Sequence, residues 1–345
     1  MRILVTGGAG FLGVNLVRYL LRAGYRDIIA LDLASFDFPE REQVQALTGD
    51  IRDSAAVGRA IAGAEAVVHC AAALPLYRRS EIMSTEVDGT AVLLAAARKA
   101  SVRRFVFISS TAVYGVPARV PILETDPLVG VGPYGEAKIL AERLCERERR
   151  QGLCLPILRP KTFVGPERLG VFGILFEWAS EGKNFPLVGD GSNRYQLLDV
   201  DDLCQAIQLC LTDPEPAVNE TFNIGAREFG TMREDFQAVL DSAGHGRKVV
   251  PLPRGIATAA LRALDLLKLS PLYRWVYETA SKDSSVSISR AEARLGFRPL
   301  YSNREALLRS FRWYLDNKQR IGNASGITHR AVWKQGVLRV AKAFF

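Results

Sequence analysis

The feature that most constrains this chain is a run of eight residues, Thr6-Gly7-Gly8-Ala9-Gly10-Phe11-Leu12-Gly13, standing directly after the apolar stretch Ile3-Leu4-Val5. Glycines at 7, 10 and 13 leave three places without a β-carbon. One suits a tight turn, one the close approach of a pyrophosphate, and one a close contact between a helix and the preceding strand. The helix expected next, from about Gly10 to Ala23, aims its positive end at the same spot. Asp32 ends the next strand-like run, Ile28-Ile29-Ala30-Leu31, 19 residues beyond Gly13. A carboxylate at that distance accepts hydrogen bonds from an adenosine ribose, and its charge repels a 2'-phosphate. No Arg or Lys follows until Arg41, so the expected cofactor is NAD rather than NADP. Asp50, after the third strand-like segment, reads either as an adenine contact or as the cap of a helix beginning near Ser54.

The rest of the first half keeps the same rhythm. Strand-like runs at Ala66-Val67-Val68-His69, Arg104-Phe105-Val106-Phe107-Ile108 and Leu155-Pro156-Ile157-Leu158 alternate with helical patterns from Ser54 to Ile61, Glu86 to Lys99 and Tyr134 to Arg150. Such alternation predicts an α/β fold, a Rossmann-type doubly wound parallel sheet covered on both faces. We assign residues 1–165 to this cofactor-binding domain, with 197–224 returning to it. Residues 166–196 and 225–318, richer in glycine loops and longer helices, read as a smaller C-terminal substrate lobe. Residues 319–345 read as a basic amphipathic tail.

Tyr134-Gly135-Glu136-Ala137-Lys138 opens a predicted helix, and a spacing of four puts the phenol and the ammonium on one face. An ammonium there favours the phenolate, drawing a pKa of about 10 toward the range of a working base. Tyr314 and Lys318 have the same spacing, but no strand-end hydroxyl precedes them, and they read as a solvated helix face. What singles out the first pair is Ile108-Ser109-Ser110-Thr111-Ala112-Val113-Tyr114-Gly115, a strand that ends in hydroxyls some twenty residues before Tyr134.

Together these motifs resemble the extended short-chain dehydrogenases, specifically the NAD-dependent epimerase/dehydratase family of sugar-nucleotide enzymes and their hydroxysteroid dehydrogenase relatives. The resemblance covers about residues 1–318. It includes His69-Cys70-Ala71-Ala72, Arg159-Pro160 with Val164-Gly165-Pro166, Asn193-Arg194-Tyr195-Gln196, Val200-Asp201-Asp202-Leu203 and Leu295-Gly296-Phe297-Arg298-Pro299. It implies an NAD-dependent epimerase or dehydrogenase with Ser110, Tyr134 and Lys138 as catalytic residues, Lys138 also holding the nicotinamide ribose. The cofactor contacts it implies are Gly7, Gly10, Phe11, Leu12, Gly13, Asp32, Asp50, Ile51, Ala71, Tyr134 and Lys138. It places Thr111, Thr162 and Arg194 at a small-molecule substrate, a nucleotide sugar, and it allows a homodimer. Where family dehydratases carry Asp-Glu after the catalytic hydroxyl, this chain has Thr111-Ala112, which argues against 4,6-dehydration. Thr162 replaces an Asn of the epimerases, Asp199 a His, and Ala280-Ser281-Lys282-Asp283 an Arg-x-Gly-Asp stretch. A lipid-like alcohol is the rival substrate, for Ile256, Ala260, Leu261, Leu264 and Leu267 form an apolar stripe. A catalytically inactive NAD-binding protein is the third reading, disfavoured by the intact Ser110, Tyr134 and Lys138.

Charge and cysteines exclude other classes. The net charge of +8 is concentrated after Asp316, where six basic residues and no acid occur, so no basic face for nucleic acid is expected. Five cysteines without a Cys-x-x-Cys pair and no secretory leader suggest reduced thiols and a cytoplasmic enzyme. No His, Cys and carboxylate set has metal-ligand spacing, so no metal is expected. In residues 328–345, Trp333, Val337, Val340, Ala341 and Phe344 share one helical side, with Arg339 and Lys342 opposite. Such a segment suits a peripheral position on an anionic membrane surface, at the inner face, or docking on the protein's own body or a second subunit.

Overall fold

The alternation of strands and helices becomes a parallel sheet of seven strands. In the computed structural model, which describes residues 1–116, 118–266, 282–321 and 342, the chain runs β1 (Ile3–Thr6), α1 (Phe11–Arg22), β2 (Ile28–Asp32), β3 (Gln45–Thr48), α2 (Ser54–Ile61), β4 (Ala66–His69), α3 (Arg79–Met83), α4 (Gly89–Lys99), β5 (Arg104–Ile108), α5 (Gly132–Arg150) and β6 (Ile157–Pro160). It continues through β7 (Phe163–Val164), α6 (Gly170–Ser180), β8 (Phe185–Val188), β9 (Leu198–Asp199), α7 (Val200–Thr212), α8 (Glu215–Val218) and β10 (Thr221–Ile224). Then come α9 (Met232–Ser242), β11 (Val249–Leu252), α10 (Arg254–Leu266), and two further helices, Ser289–Leu295 and Asn303–Ile321.

The chain divides into two units. The first comprises Met1–Lys161, Val200–Gly225 and Val286–Arg298. Its sheet has the order β10-β6-β5-β4-β1-β2-β3, and all its pairings are parallel. From β1 the chain winds outward to β3, then crosses back to pair β4 on the other side of β1. The carboxyl ends of β1 and β4 therefore form the switch point where open sheets of this kind bind ligands. The central strands β1 and β4 are buried along their whole length because both faces are covered. On one face Leu4, Ile29, Leu31, Val67, Phe105 and Phe107 pack with residues of α2, α4 and α5.

Three sequence expectations shift here. The helix read as Glu86 to Lys99 begins inside a π-helical turn, Ser84–Asp88, which joins α4 to a preceding short helix, α3. β6 starts at Ile157 rather than Leu155, since Pro156 offers no N–H to the ladder. Residues 286–298 fold with the sheet instead of the smaller lobe: Val286 bridges to Ile122, and Gly296, at φ 63°, ends the helix Ser289–Leu295 so that Phe297 is buried.

The second unit comprises Thr162–Asp199, Ala226–Ser285 and Pro299–Phe345. Its core sets Leu169, Phe172 and Phe176 of the α6 region against Val239 and Leu240 of α9 and Leu307, Phe311 and Tyr314 of the last helix. Tyr314 is thus a core residue, 4% exposed and 6.0 Å from the Phe176 ring. The solvated-face reading holds only for Lys318, whose ammonium donates to Ser180 Oγ at 3.0 Å. Asp199 is buried and ion-paired with Arg309 at 2.6 Å, which accounts for an acid at that position. Lys342, on the side of the tail opposite its apolar residues, pairs with Glu177 and Glu181 of α6 at 2.6 and 2.5 Å. The tail's apolar stripe and Leu267 lie outside the described residues. Among the described residues, no helix is long and apolar enough to cross a membrane.

Candidate active site

Everything the cofactor needs from the first unit converges on the β1 and β4 ends. Gly7 sits at φ 68°, and a β-carbon there would meet the Ala71 backbone at 2.7 Å. One on Gly13 would lie 2.0 Å from the Gly7 carbonyl oxygen, so the first turn of α1 lies against the loop. At Gly10 a β-carbon would meet only the Gly7 carbonyl, at 3.1 Å, and otherwise project into open space. That space faces a helix N-terminus with no side-chain cap and no acid in its first turn, as a diphosphate requires. The first helical hydrogen bond runs from Val14 N–H to the Gly10 carbonyl. Phe11 and Leu12 are buried beneath that turn. Asp32 is anchored beside the loop, its carboxylate accepting from Ala9 N–H at 3.0 Å and Ala34 N–H at 2.9 Å. These residues fit a dinucleotide.

Asp50 does not cap α2; Asp53 does, accepting from Ala55 N–H at 2.8 Å. Three residues closer to the helix, Asp53 occupies the N-cap position, leaving Asp50 to take the Arg52 guanidinium. That side-chain bond holds the Asp50 carboxyl below its usual range, although burial opposes it. Ile51 is buried against Gly89, and Ala71 N–H donates to Thr6 Oγ1 at 3.3 Å.

The Tyr134 and Lys138 side chains lie on one face of α5. Lys138 is 2% exposed, and its Nζ donates to the Ile108 carbonyl at 2.9 Å. Nζ also lies 5.9 Å from the centre of the Tyr134 ring and 5.0 Å from that of Phe107. Tyr134 is half-buried among Ile82, Met83, Val87 and Tyr77. Ser110 caps the short turn Thr111–Tyr114, its hydroxyl accepting from Ala112 N–H at 3.1 Å. The turn sits against the start of α5 because residue 135 is glycine: a β-carbon there would be 2.8 Å from the Ala112 carbonyl. So β5, the hydroxyl turn and α5 form one rigid piece, with Lys138 bonded two residues upstream of Ser110.

Two buried partners escaped the sequence reading. Glu86 Oε2 lies 2.9 Å from Lys138 Nζ, while Oε1 accepts from Ala73 N–H at 2.8 Å. Burial alone would pull the Lys138 ammonium down; Glu86 and Tyr134 outweigh it and hold it above its ordinary value. Glu142 binds Arg159 at 2.5 Å and accepts from the Ser109 hydroxyl at 2.5 Å. Arg159 in turn donates to Tyr114 Oη at 2.8 Å. Glu142 continues the four-residue spacing of Tyr134 and Lys138, a signal that was available. Glu86 gave none, because an acid near a predicted helix start looks like an ordinary first-turn residue.

His69, at the end of β4, is buried with its ring between Phe105 and Phe107. Thr90 Oγ1 donates to the Glu86 carbonyl at 2.5 Å, so it must accept from His69 Nε2–H at 3.1 Å. Nδ1 then accepts from Thr6 Oγ1 at 2.8 Å. The direction of the chain fixes a neutral imidazole protonated on Nε2, in accord with a pKa that burial and Lys138 push down to about 3.

Thr162 and Arg194 belong to the second unit. Thr162 Oγ1 shares a hydrogen bond with Tyr195 Oη at 3.1 Å. Arg194 is exposed, donates to the Phe229 carbonyl at 2.9 Å and lies over the Phe229 ring at 4.9 Å.

Comparison with known proteins adds the following. A model of the family described as "NAD dependent epimerase/dehydratase family" matches residues 3–225. The chain is 36% identical to the uncharacterised protein y4nG of Sinorhizobium fredii over 97% of this chain and 84% of that one. It is 31% identical to a dTDP-glucose 4,6-dehydratase of Streptomyces antibioticus, over 92% of this chain and 93% of the other. Among solved structures, a UDP-glucose 4-epimerase with UDP-glucose from Thermotoga maritima superposes with a TM-score of 0.77 at 26% identity, covering 92% of this chain and all of that one.

Proposed function

Since the chain belongs to the NAD dependent epimerase/dehydratase family, an enzyme of the extended short-chain dehydrogenase type with NAD as its cofactor, we propose that it oxidises a secondary alcohol of a nucleotide sugar, as an epimerase or dehydrogenase. The observation that carries the proposal is the buried Lys138 ammonium, bonded to the carboxyl end of β5 and facing the Tyr134 ring. A buried cation beside a phenol stabilises the phenolate. Tyr134 Oη then takes the proton of the substrate hydroxyl, and Ser110 Oγ holds the same oxygen as its charge changes. Bound NAD would supply the hydride acceptor for the carbon that bears that hydroxyl. Lys138 also holds the nicotinamide ribose, and Asp32 the adenosine ribose.

The turn after Ser110 reads Thr111-Ala112 and contains no carboxylate, so it provides no acid to expel water. This favours epimerisation or net oxidation over dehydration, although dehydratases are among the relatives. A nucleotide substrate is suggested by the names of those relatives and by Arg194, whose fork of donors suits a pyrophosphate. Thr111 and Thr162 are the other proposed substrate contacts. One observation favours a lipid-like alcohol instead: Ile256 on α10 is 71% exposed.

The test is to incubate the purified protein with NAD and a panel of UDP- and dTDP-hexoses and sterol alcohols, following NADH absorbance and product stereochemistry. Turnover of a nucleotide hexose supports the proposal. Turnover confined to sterols replaces it with the lipid reading.

A further inference from the structure

We propose that Glu86 is a positioning residue of this site, turned inward by the π-helical turn Ser84–Asp88 to keep Lys138 charged where water is excluded. The proposal rests on reading Lys138 as the cation of the site. The extra residue in the π turn shifts the helical register by about 100° between α3 and α4. It brings a carboxylate that is 1% exposed onto an ammonium that is 2% exposed, at 2.9 Å.

Both ends of Glu86 are tied down. Its side chain joins α5, through Lys138, to the loop after β4, through Ala73 N–H. Its carbonyl ends the chain of hydrogen bonds that runs from Thr6 through His69 and Thr90. The glycine-loop strand, the β4 end and the catalytic helix are therefore linked through one residue. The histidine belongs to this linkage and not to proton transfer.

The surroundings show why the carboxylate matters. From α5, Tyr134 and Cys145 face Lys138. From the end of β4 come His69, neutral, and the Cys70 thiol, which burial pushes up to about 12. From β5 come the Phe107 ring and the Ile108 carbonyl. Glu142, one turn further along α5, is taken by Arg159. Among these described groups, Glu86 supplies the negative charge. An isolated buried ammonium is costly and sheds its proton instead.

The experiment compares thermal unfolding of the full chain, without cofactor, between pH 7 and 10 in the parent, Glu86→Gln, Lys138→Met and the double variant. Breaking a buried pair should lower the Tm of Glu86→Gln by roughly 5–10 °C at pH 7. In that variant the native Lys138 pKa falls below its unfolded value, so the unfolded state binds more protons and stability recovers as pH rises. The deficit should shrink by about half or more at pH 10. In the Lys138→Met background the sign reverses: Glu86→Gln removes an orphaned charge and raises the Tm. Glu86→Asp keeps the charge, should restore part of the loss, and serves where Glu86→Gln does not fold. A deficit that is equal at pH 7 and pH 10, or equal with and without Lys138, overturns the proposal. NAD titration of Lys138→Met tests the underlying reading separately, since unchanged affinity removes Lys138 from the cofactor site whatever the Tm series shows.

Discussion

Tyr134–Lys138 and Tyr314–Lys318 share a spacing, each pair on its own helix, yet their burial is inverted. In the first pair the lysine is sealed against Glu86 and a strand-end carbonyl while the tyrosine stays half-open. In the second, the tyrosine fills the core beside Phe176 and the lysine reaches the half-buried Ser180. A spacing of four places two side chains on one helical face. It does not decide which of them the protein buries. Chemistry follows from that choice, since a desolvated ammonium acts on a neighbouring phenol far more strongly than a hydrated one.

The comparison breaks most sharply at the tyrosines. Tyr134→Phe should lower turnover by about 10²- to 10⁴-fold and leave NAD affinity nearly intact, because a proton-transfer group is lost. Tyr314→Phe should leave turnover unchanged. Steady-state kinetics on the substrate found by the panel, with parallel NAD titrations, decide it; equal losses in the two variants would make the pairs equivalent.

Stability should show the opposite ranking. Tyr314→Ala opens a cavity among Phe176, Phe311 and Leu307 and should cost about 3–5 kcal/mol, as aromatic truncations in cores do. Tyr134→Ala, at a half-open position, should cost less. Denaturant unfolding of both variants measures the difference.

At the lysines, Lys138→Met should weaken NAD binding by about 10- to 100-fold, the size expected of a lost charged hydrogen bond. Lys318→Met should leave it unchanged. Cofactor titration monitored by fluorescence tests both.

How far the sequence reaches can be judged at particular residues. The glycine loop, the order of the first strands and helices and the position of Asp32 are all local patterns, and local patterns are legible. The ion pair of Glu86 with Lys138 joins residues 52 positions apart, and no periodicity announces it. The π turn that makes it possible hides inside a sequence that reads as a plain helix. Asp50 reads as a possible cap because a helix begins soon after it, near Ser54, but capping depends on backbone position to within one residue, and Asp53 holds it. Val286–Arg298 joins the sheet unit through the Val286–Ile122 bridge, the ion pairs of Arg290 with Glu124 and Arg294 with Glu220, and the buried Phe297, none of which has a sequence period.

The smallest expected effect concerns the helix that carries the second pair. At its start, Asn303 Nδ2 donates to Asp235 Oδ2 at 2.8 Å, and Asp235, on α9, is buried. Burial pushes its carboxyl up to about 6, outweighing the Asn303 hydrogen bond. A folded pKa above the unfolded value near 3.9 means that the native state binds the proton more tightly. The contribution therefore stabilises the fold as pH falls from about 6 toward 4, and it is absent at pH 7, where both states are ionised. Asp235→Asn keeps an acceptor for Asn303 and removes the titration. It should raise stability at pH 7 by on the order of 1 kcal/mol and flatten the pH 4–6 slope. Glu86→Gln should instead lower stability at pH 7, because it leaves the buried Lys138 charge unpaired. Unfolding free energies of the two variants at pH 4, 5, 6 and 7 separate the cases, and a native-like slope in Asp235→Asn would assign that pH dependence to another group.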